Sequence, residues 1–438
     1  MAAVAAERPA DANNAEPHPT TNTPAGVAAK LRTGTILRQE GSSDAIVHAA
    51  FCQCDASTGG ANLFATVGGN KATVYDDRHF GRHLGLVMQY ENVQTEYTKG
   101  GELDLCCWIP TPASATDAPL GDHRLAVTGP KDKSIQVISL VETRVVSLLE
   151  NTEKRVVHMQ GINAAPDVLF ACLSSGELKA YDINTESCIM QCPKAGVETF
   201  GVWAPLSEDG KLEHEPVMLV APSKGGLFVW KLAESLPFVK GQSDKSGAVG
   251  SKRKQRTDEA ANTSEEPKTF SDGLPAEHMT EVEFQSTDGA QIKSQAFSVV
   301  HPLNATSFLT LDDKGRKAIV WDWLLADENP SGSAYLSRVA RMRYAPINAS
   351  VPRISGGTDA STRWGYSTTS DGNLLCSAFN STAYVHDLTT GERAMTLQHP
   401  TERLGKLPNC FVSLIADDAR SVICSAGPGI LFRHEAWD

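Results

Sequence analysis

No stretch of this 438-residue sequence stays apolar over the roughly 18 positions that a membrane-spanning helix requires. Its first residues, MAAVAAERPADANN, reach a Glu-Arg pair before any apolar core develops, so no secretory signal peptide is expected. Signatures of catalysis are also missing. No glycine loop of the GxxxxGKS or GxxxxGKT form exists; Gly129-Pro-Lys-Asp-Lys-Ser lacks the second glycine that would let the backbone wrap a phosphate. There is no HExxH pair for zinc and no GxSxG elbow for a nucleophilic serine.

Cysteine is present in ordinary amount, 10 residues, but not in ligand spacing. Cys52-x-Cys54 and the pair Cys188 and Cys192 have no second Cys/His pair at a recognised distance, so structural thiols are expected there. Cys52, Cys54, Cys106, Cys107, Cys172, Cys376 and Cys424 sit in or beside apolar runs, where a thiol behaves as a small buried hydrophobe. Without a secretory route no disulfide framework is predicted. For the same reason the sequons at Asn262, Asn304 and Asn380 are chance matches. The chain is therefore expected to be no enzyme and to hold no metal or cofactor.

What is present points elsewhere. Lys and Arg number 40 against 52 Asp and Glu, a net charge of −12. An acidic surface suits a basic protein partner better than a nucleic-acid backbone, so neither sequence-specific nucleic acid nor membrane is an expected partner. Length alone would suggest two or three domains, although an all-β propeller runs longer as one. Residues 1–33, rich in Ala, Pro, Thr and Asn, show neither helical nor strand period and read as a disordered tail. Residues 236–283 read as a polar, disordered insertion looping out of a finished scaffold. Its basic cluster, Lys252, Arg253, Lys254 and Arg256, is a candidate nuclear localisation signal, with a solvated linker as the plain alternative.

Between these pieces one plan repeats seven times: a short apolar strand, a polar or glycine turn, and a second strand ending on a bulky residue near an acid. The segments are LFATVGGNKATVYD, RLAVTGPKDKSIQVIS, VLFACLSSGELKAYD, VMLVAPSKGGLFVWK, SFLTLDDKGRKAIVWD, NLLCSAFNSTAYVHD and SVICSAGPGILFRHE. Their turns carry Gly69-Asn70, Lys131-Asp132, Ser175-Gly176, Gly225-Gly226 and Lys314-Gly315, which is hairpin chemistry. The closing positions Tyr75, Ile138, Tyr181, Trp230, Trp321, His386 and His434 fall 43 to 91 residues apart, the widest gap holding the insertion. A WD-type blade repeats every ~40–45 residues, and longer spacings mean enlarged loops, such as 110–119. The fold predicted is all-β, a seven-bladed WD40-type β-propeller over 34–438, in which each sheet is covered by its neighbours. The segment from Gly34 to Arg38 is expected to add a strand to the last blade and fasten the ring. Ser187–Gln191 and Ala394–Leu397 also read as strands.

With the repeats aligned, the first two resemble one family. Phe64, Ala65, Thr66, Val67, Gly68, Asn70, Thr73 and Tyr75 are similar to the first blade of the Extra sex combs / embryonic ectoderm development WD40 subunits of Polycomb repressive complex 2. Cys106-Cys107-Trp108, RLAVTG at 124–129 and Ile135-Gln-Val-Ile are similar to that family's second blade. Weaker likeness continues through 217–232, 318–321, 384–388 and 430–437. The resemblance implies a non-catalytic nuclear scaffold that binds and stimulates a SET-domain histone methyltransferase subunit beside other Polycomb-type subunits. It also implies an aromatic cage for a trimethylated histone lysine, since a quaternary ammonium offers no N–H but is attracted to ring faces. The cage positions fall at His48, at Asp104 and around Thr362-Arg363-Trp364, with Tyr366 close behind. One Trp, a His and an Asp make a degenerate site that would still suit a cation of lower methylation state, since a carboxylate favours one that keeps an N–H. These four are read, in preference, as ordinary rim residues that no longer recognise the mark. A generic WD40 interaction platform in RNA processing or trafficking is the alternative.

Overall fold

A computed structural model of the chain describes residues 26, 31–38, 46–52, 62–78, 84–95, 100–110, 123–132, 134–150, 154–204, 216–232, 267–293, 296–304, 306–312, 315–324, 339–349, 351, 353–355, 362–379, 382–398, 410–416, 419–426 and 430–436. The elements bounded within these residues are β-strands and one turn of 3₁₀ helix at Ala276–His278, and Gly26 and Leu232 are helical. Antiparallel sheets follow one another along the chain, labelled here A to G. Sheet A is His48–Phe51, Leu63–Gly68, Lys71–Asp76 and Gly85–Glu91. Sheet B is Leu105–Ile109, Arg124–Thr128, Ser134–Ser139 and Arg144–Glu150. Sheet C is Val156–Ile162, Ala165–Leu173, Leu178–Asp182 and Ser187–Cys192, with Lys268–Thr269 added in parallel at its edge.

Sheet D is Val197–Trp203, Val217–Pro222, Phe228–Lys231 and Met279–Glu281. Sheet E is Val299–Asn304, Ser307–Leu311, Lys317–Trp323 and Val339–Met342, widened by Glu283–Gln285 and Gln291–Ile292, with Ile347–Asn348 beside its third strand. Sheet F is Tyr366–Thr368, Leu374–Phe379, Thr382–Asp387 and Arg393–Gln398. Sheet G is Cys410–Ile415, Ser421–Ala426, Ile430–Ala436 and, from the other end of the chain, Leu31–Arg38. Arg353–Ser355 and Thr362–Trp364 form a separate ribbon between E and F.

All seven repeated segments occupy the second and third strands of successive sheets. Their closing residues share one register slot, opposite Phe64, Leu125, Leu169, Met218, Phe308, Leu375 and Val422 respectively. The physical reason lies in their covering. LFATVG and SIQVIS are buried at every position because a neighbouring sheet lies on each face, so apolar residues run without alternation. The outer strand Gly85–Glu91 has a mixed pattern with only Met88 buried. Left-handed backbone at Gly69 (φ 56°) and Gly176 (φ 78°) makes the tight turns, and a Cβ on Gly176 would stand 2.9 Å from the Gly196 Cα.

The core is divided among the sheet interfaces. Leu63, Val74, Cys106 and Trp108 pack between A and B. Ala126, Val137, Leu169 and Tyr181 pack between B and C, and Phe170, Phe200, Met218 and Trp230 between C and D. Leu219, Phe284, Phe308 and Trp321 fill the D–E interface, Leu309, Val320 and Leu375 the E–F interface, and Leu374, Val385, Val422 and Cys424 the F–G interface. The seventh cluster, with Ile46, Phe64, Tyr75, Leu414, Ile423 and Leu431, joins G back to A. The row of sheets thus closes on itself, an all-β, propeller-like architecture. The first strand of each sheet lies innermost, and close approach there uses small residues: a Cβ on Gly201 would fall 2.4 Å from the Pro302 Cδ.

Two expected boundaries move. The strand expected at Gly34–Arg38 is present and pairs antiparallel with Ile430–Ala436, but it begins at Leu31, so the stretch read as tail to residue 33 ends sooner. The stretch 236–283, expected to be disordered throughout, carries regular structure from Lys268 onward. There, Phe270 meets Trp230 edge-on at 5.9 Å, and Leu274 and Met279 pack on the C–D cluster. Met279–Glu281 is the fourth strand of D. Sparse apolar anchors in a polar stretch give no period in the sequence, yet each finds a groove at a sheet edge. Residues 233–266 lie outside the described residues.

Candidate functional site

Of the predicted rim residues, His48, Asp104 and Tyr366 lie at one end of the inner strands, the end that carries the turns between second and third strands. His48 stands opposite Val67 near the close of its hairpin strand, and Tyr366 stands opposite Ser377. The Asp104 N–H donates to the Thr128 carbonyl (3.0 Å). His48 and Asp104 come from adjoining sheets. His48 Nδ1 lies 3.3 Å from Cys106 Sγ and accepts the Cys106 N–H at 3.4 Å, a geometry that leaves the ring proton of a neutral imidazole on Nε2.

Asp104 is buried, and its carboxylate is ion-paired with Arg155, whose side chain is only 5% exposed. Arg155 immediately precedes the first strand of sheet C, so this pair bridges the approach to B and the approach to C. A carboxylate held this way already has its cation. Tyr366 is half-buried with its ring edge-on to His301 at 6.1 Å, and burial pushes its hydroxyl well above the ordinary phenol range. The ring contact described for Tyr366 is with His301, on the neighbouring sheet E. Trp364 lies in the ribbon strand Thr362–Trp364 and pairs by backbone with Arg353; its side chain is not among those described. Lys252, Arg253, Lys254 and Arg256 lie outside the described residues.

The same inner strands are stitched by polar contacts that spacing did not suggest. The Trp108 indole N–H donates to the Ala50 carbonyl (2.9 Å), tying A to B. Gln160 exchanges two 2.8 Å bonds with the Val202 backbone, tying C to D. His301 Nε2 lies 2.8 Å from Thr368 Oγ1, tying E to F, and the Ile415 N–H donates to Ser367 Oγ (2.8 Å), tying F to G. Between A and B, Asn92 donates to Asp132 (2.7 Å), Gln136 donates to both, and the Tyr90 hydroxyl donates to Gln136 (2.5 Å). Partners in this set are 40 to 46 residues apart, apart from the Gln136–Asp132 pair, so no short motif announces them.

The repeat positions behave as packing residues. Trp230 and Trp321 are solvent-free, and Trp321 donates to Thr310 Oγ1 at 2.8 Å. His386 fills the equivalent slot, and burial, helped by Arg393, pushes its pKa down to about 4. Burial likewise drives the Cys107 thiol up to about 11 and those of Cys172 and Cys192 up to about 12, which keeps them protonated and unreactive. Cys54 lies outside the described residues.

No protein-family model matches this chain, and no curated protein matches it either.

Proposed function

We propose that the protein is a seven-bladed WD40-type propeller serving as the non-catalytic scaffold of a Polycomb-type histone methyltransferase complex in the nucleus, where it binds and stimulates the SET-domain subunit. The observation that carries this reading is the placement of LFATVGGNKATVYD, the segment most similar to the Polycomb family. It forms the two central strands of sheet A, with Phe64 stacked on Tyr75 at 5.0 Å. The closed row of sheets supports it further, because a ring presents two broad faces on which an extended partner segment can lie. The acidic balance favours a basic segment. The Lys252 to Arg256 cluster would serve nuclear entry.

The methyl-lysine cage is degenerate in this reading, because Asp104 is engaged by Arg155 and Tyr366 is turned against His301. No selective binding of trimethyl-lysine histone peptides is expected; micromolar binding abolished by Trp364→Ala would overturn that part. Affinity purification of the tagged full chain with mass spectrometry tests the whole. A stoichiometric SET-domain methyltransferase is the expected result. Repeated recovery of an RNA-processing or trafficking assembly without one would sink the reading in favour of a generic interaction platform.

A further inference from the structure

The segment that closes sheet D first crosses the outer edge of sheet C. Residues 267–275 lie along that edge and hold to it thinly. Lys268 and Thr269 pair in parallel with Met190 and Gln191, and the Phe270 N–H donates to the Gln191 carbonyl at 2.9 Å. Gly273, in the left-handed region at φ 117°, then turns over Lys194, where an added Cβ would stand 3.4 Å from the carbonyl oxygen. From Pro267 to Asp272 every residue is exposed except Phe270, which is half-buried. The residues that follow are held better: Met279–Glu281 is the fourth strand of D, and Val282 and Phe284 are buried in the D–E cluster.

The surface beneath this crossing is apolar. Phe270 and Leu274 pack on the C–D cluster, with Phe270 edge-on to Trp230 at 5.9 Å, and Trp230 and Cys192 in that cluster are solvent-free. Lys268 and Phe270 are two apart in an extended segment and so share a face. The Lys268 ammonium stands 5.2 Å from the Phe270 ring centre. A two-residue ladder on an exposed segment belongs to the low end of local stability, whereas the seam under it depends on the closed row of sheets. The outer strand of C, Ser187–Cys192, is thus an edge that takes an added parallel strand, with a socket at the seam for the aromatic side chain that follows.

We propose that residues 267–275 are a displaceable strap over a docking edge on sheet C. The strap swings away about its anchored end at Met279–Glu281 while the row of sheets stays closed. Its place is taken by an extended partner segment with a cation two residues before an aromatic ring, the pattern that Lys268 and Phe270 themselves show. Such a segment gains the backbone bonds along Met190 and Gln191 and the contact with Trp230, and the strap is its intramolecular competitor. The competition rests on this edge alone and not on which complex the protein serves.

Two native thiols time the opening. Cys192 belongs to the cluster that Phe270 and Leu274 cover, whereas Cys172 lies on the second strand of C with its thiol donating to the Val197 carbonyl at 3.5 Å. N-ethylmaleimide labelling of the native full chain, followed by peptide mass mapping, is expected to modify Cys192 about tenfold faster than Cys172 or more. Phe270→Ala should speed Cys192 further and leave Cys172 unchanged. One common rate for the two thiols, or a Cys192 rate that ignores the substitution, overturns the strap. A fluorescent peptide of residues 267–275 tests the edge. It should bind the Phe270→Ala chain roughly tenfold more tightly than the native chain, and a peptide carrying Phe270→Ala itself should not bind. Equal affinities, or no binding to the Phe270→Ala chain, overturn the docking. Labelling of the native chain needs no variant and decides the opening even where Phe270→Ala does not fold.

Discussion

Asp104 and Arg155 are each almost withdrawn from water, and either would be costly to bury alone. Their pairing joins the entries of two neighbouring sheets. Arg155→Met should therefore destabilise the chain by about 3–5 kcal/mol by stranding the carboxylate, whereas Asp104→Leu with Arg155→Met should recover most of that loss. Urea unfolding of the two single variants and the double variant measures the coupling. His386 makes a complementary case. Neither ring nitrogen has a hydrogen-bond partner among the described residues, and the ring stays neutral down to about pH 4. The unfolded chain takes up this proton near pH 6.5. Stability is therefore full above that value and declines between about 6.5 and 4, by about 3 kcal/mol for this residue. His386→Phe should flatten that part of the acid limb in melts across the same range and raise Tm at neutral pH.

At the level of elements, legibility followed covering. The second and third strands of every sheet are packed on both faces, so their apolar runs and polar turns stand out in the sequence, and all seven hairpins fall where the repeats lie. Outer strands are half-covered and polar, and the one that closes sheet D begins 48 residues after its partner strand ends, with the insertion between. The segment from Lys268 to Gln285 was illegible for a related reason. It borders sheets C, D and E in turn, and its anchors Phe270, Leu274, Met279, Val282 and Phe284 have no common period because each answers a different sheet edge. Phe270→Ala should cost about 1–2 kcal/mol, since the ring is only partly buried against Trp230. Limited proteolysis should then show faster cleavage within 267–285 than in the native chain.

Over the whole molecule, stability depends on closure, because each sheet has an apolar face that only its neighbour covers. Sheet G takes its fourth strand from Leu31–Arg38, so the two ends of the chain meet in one sheet. Removing residues 1–38 should strip that edge and lower Tm by many degrees or abolish the cooperative transition, while removing residues 1–25 should leave the melt near its native position; differential scanning calorimetry distinguishes the two. The sequence by itself determined the all-β class, the seven hairpins, the strand at the amino-terminal side that completes the last sheet, and the buried character of the repeat positions. These follow from turn residues and apolar runs, which act over a few neighbours. Only the tertiary structure decided that Asp104 belongs to Arg155, that a polar-looking segment straps three sheets, and that Asp77 meets Arg433 across 356 residues of chain. Such pairs come together only when the row of sheets closes, and local pattern carries no record of a contact that depends on closure.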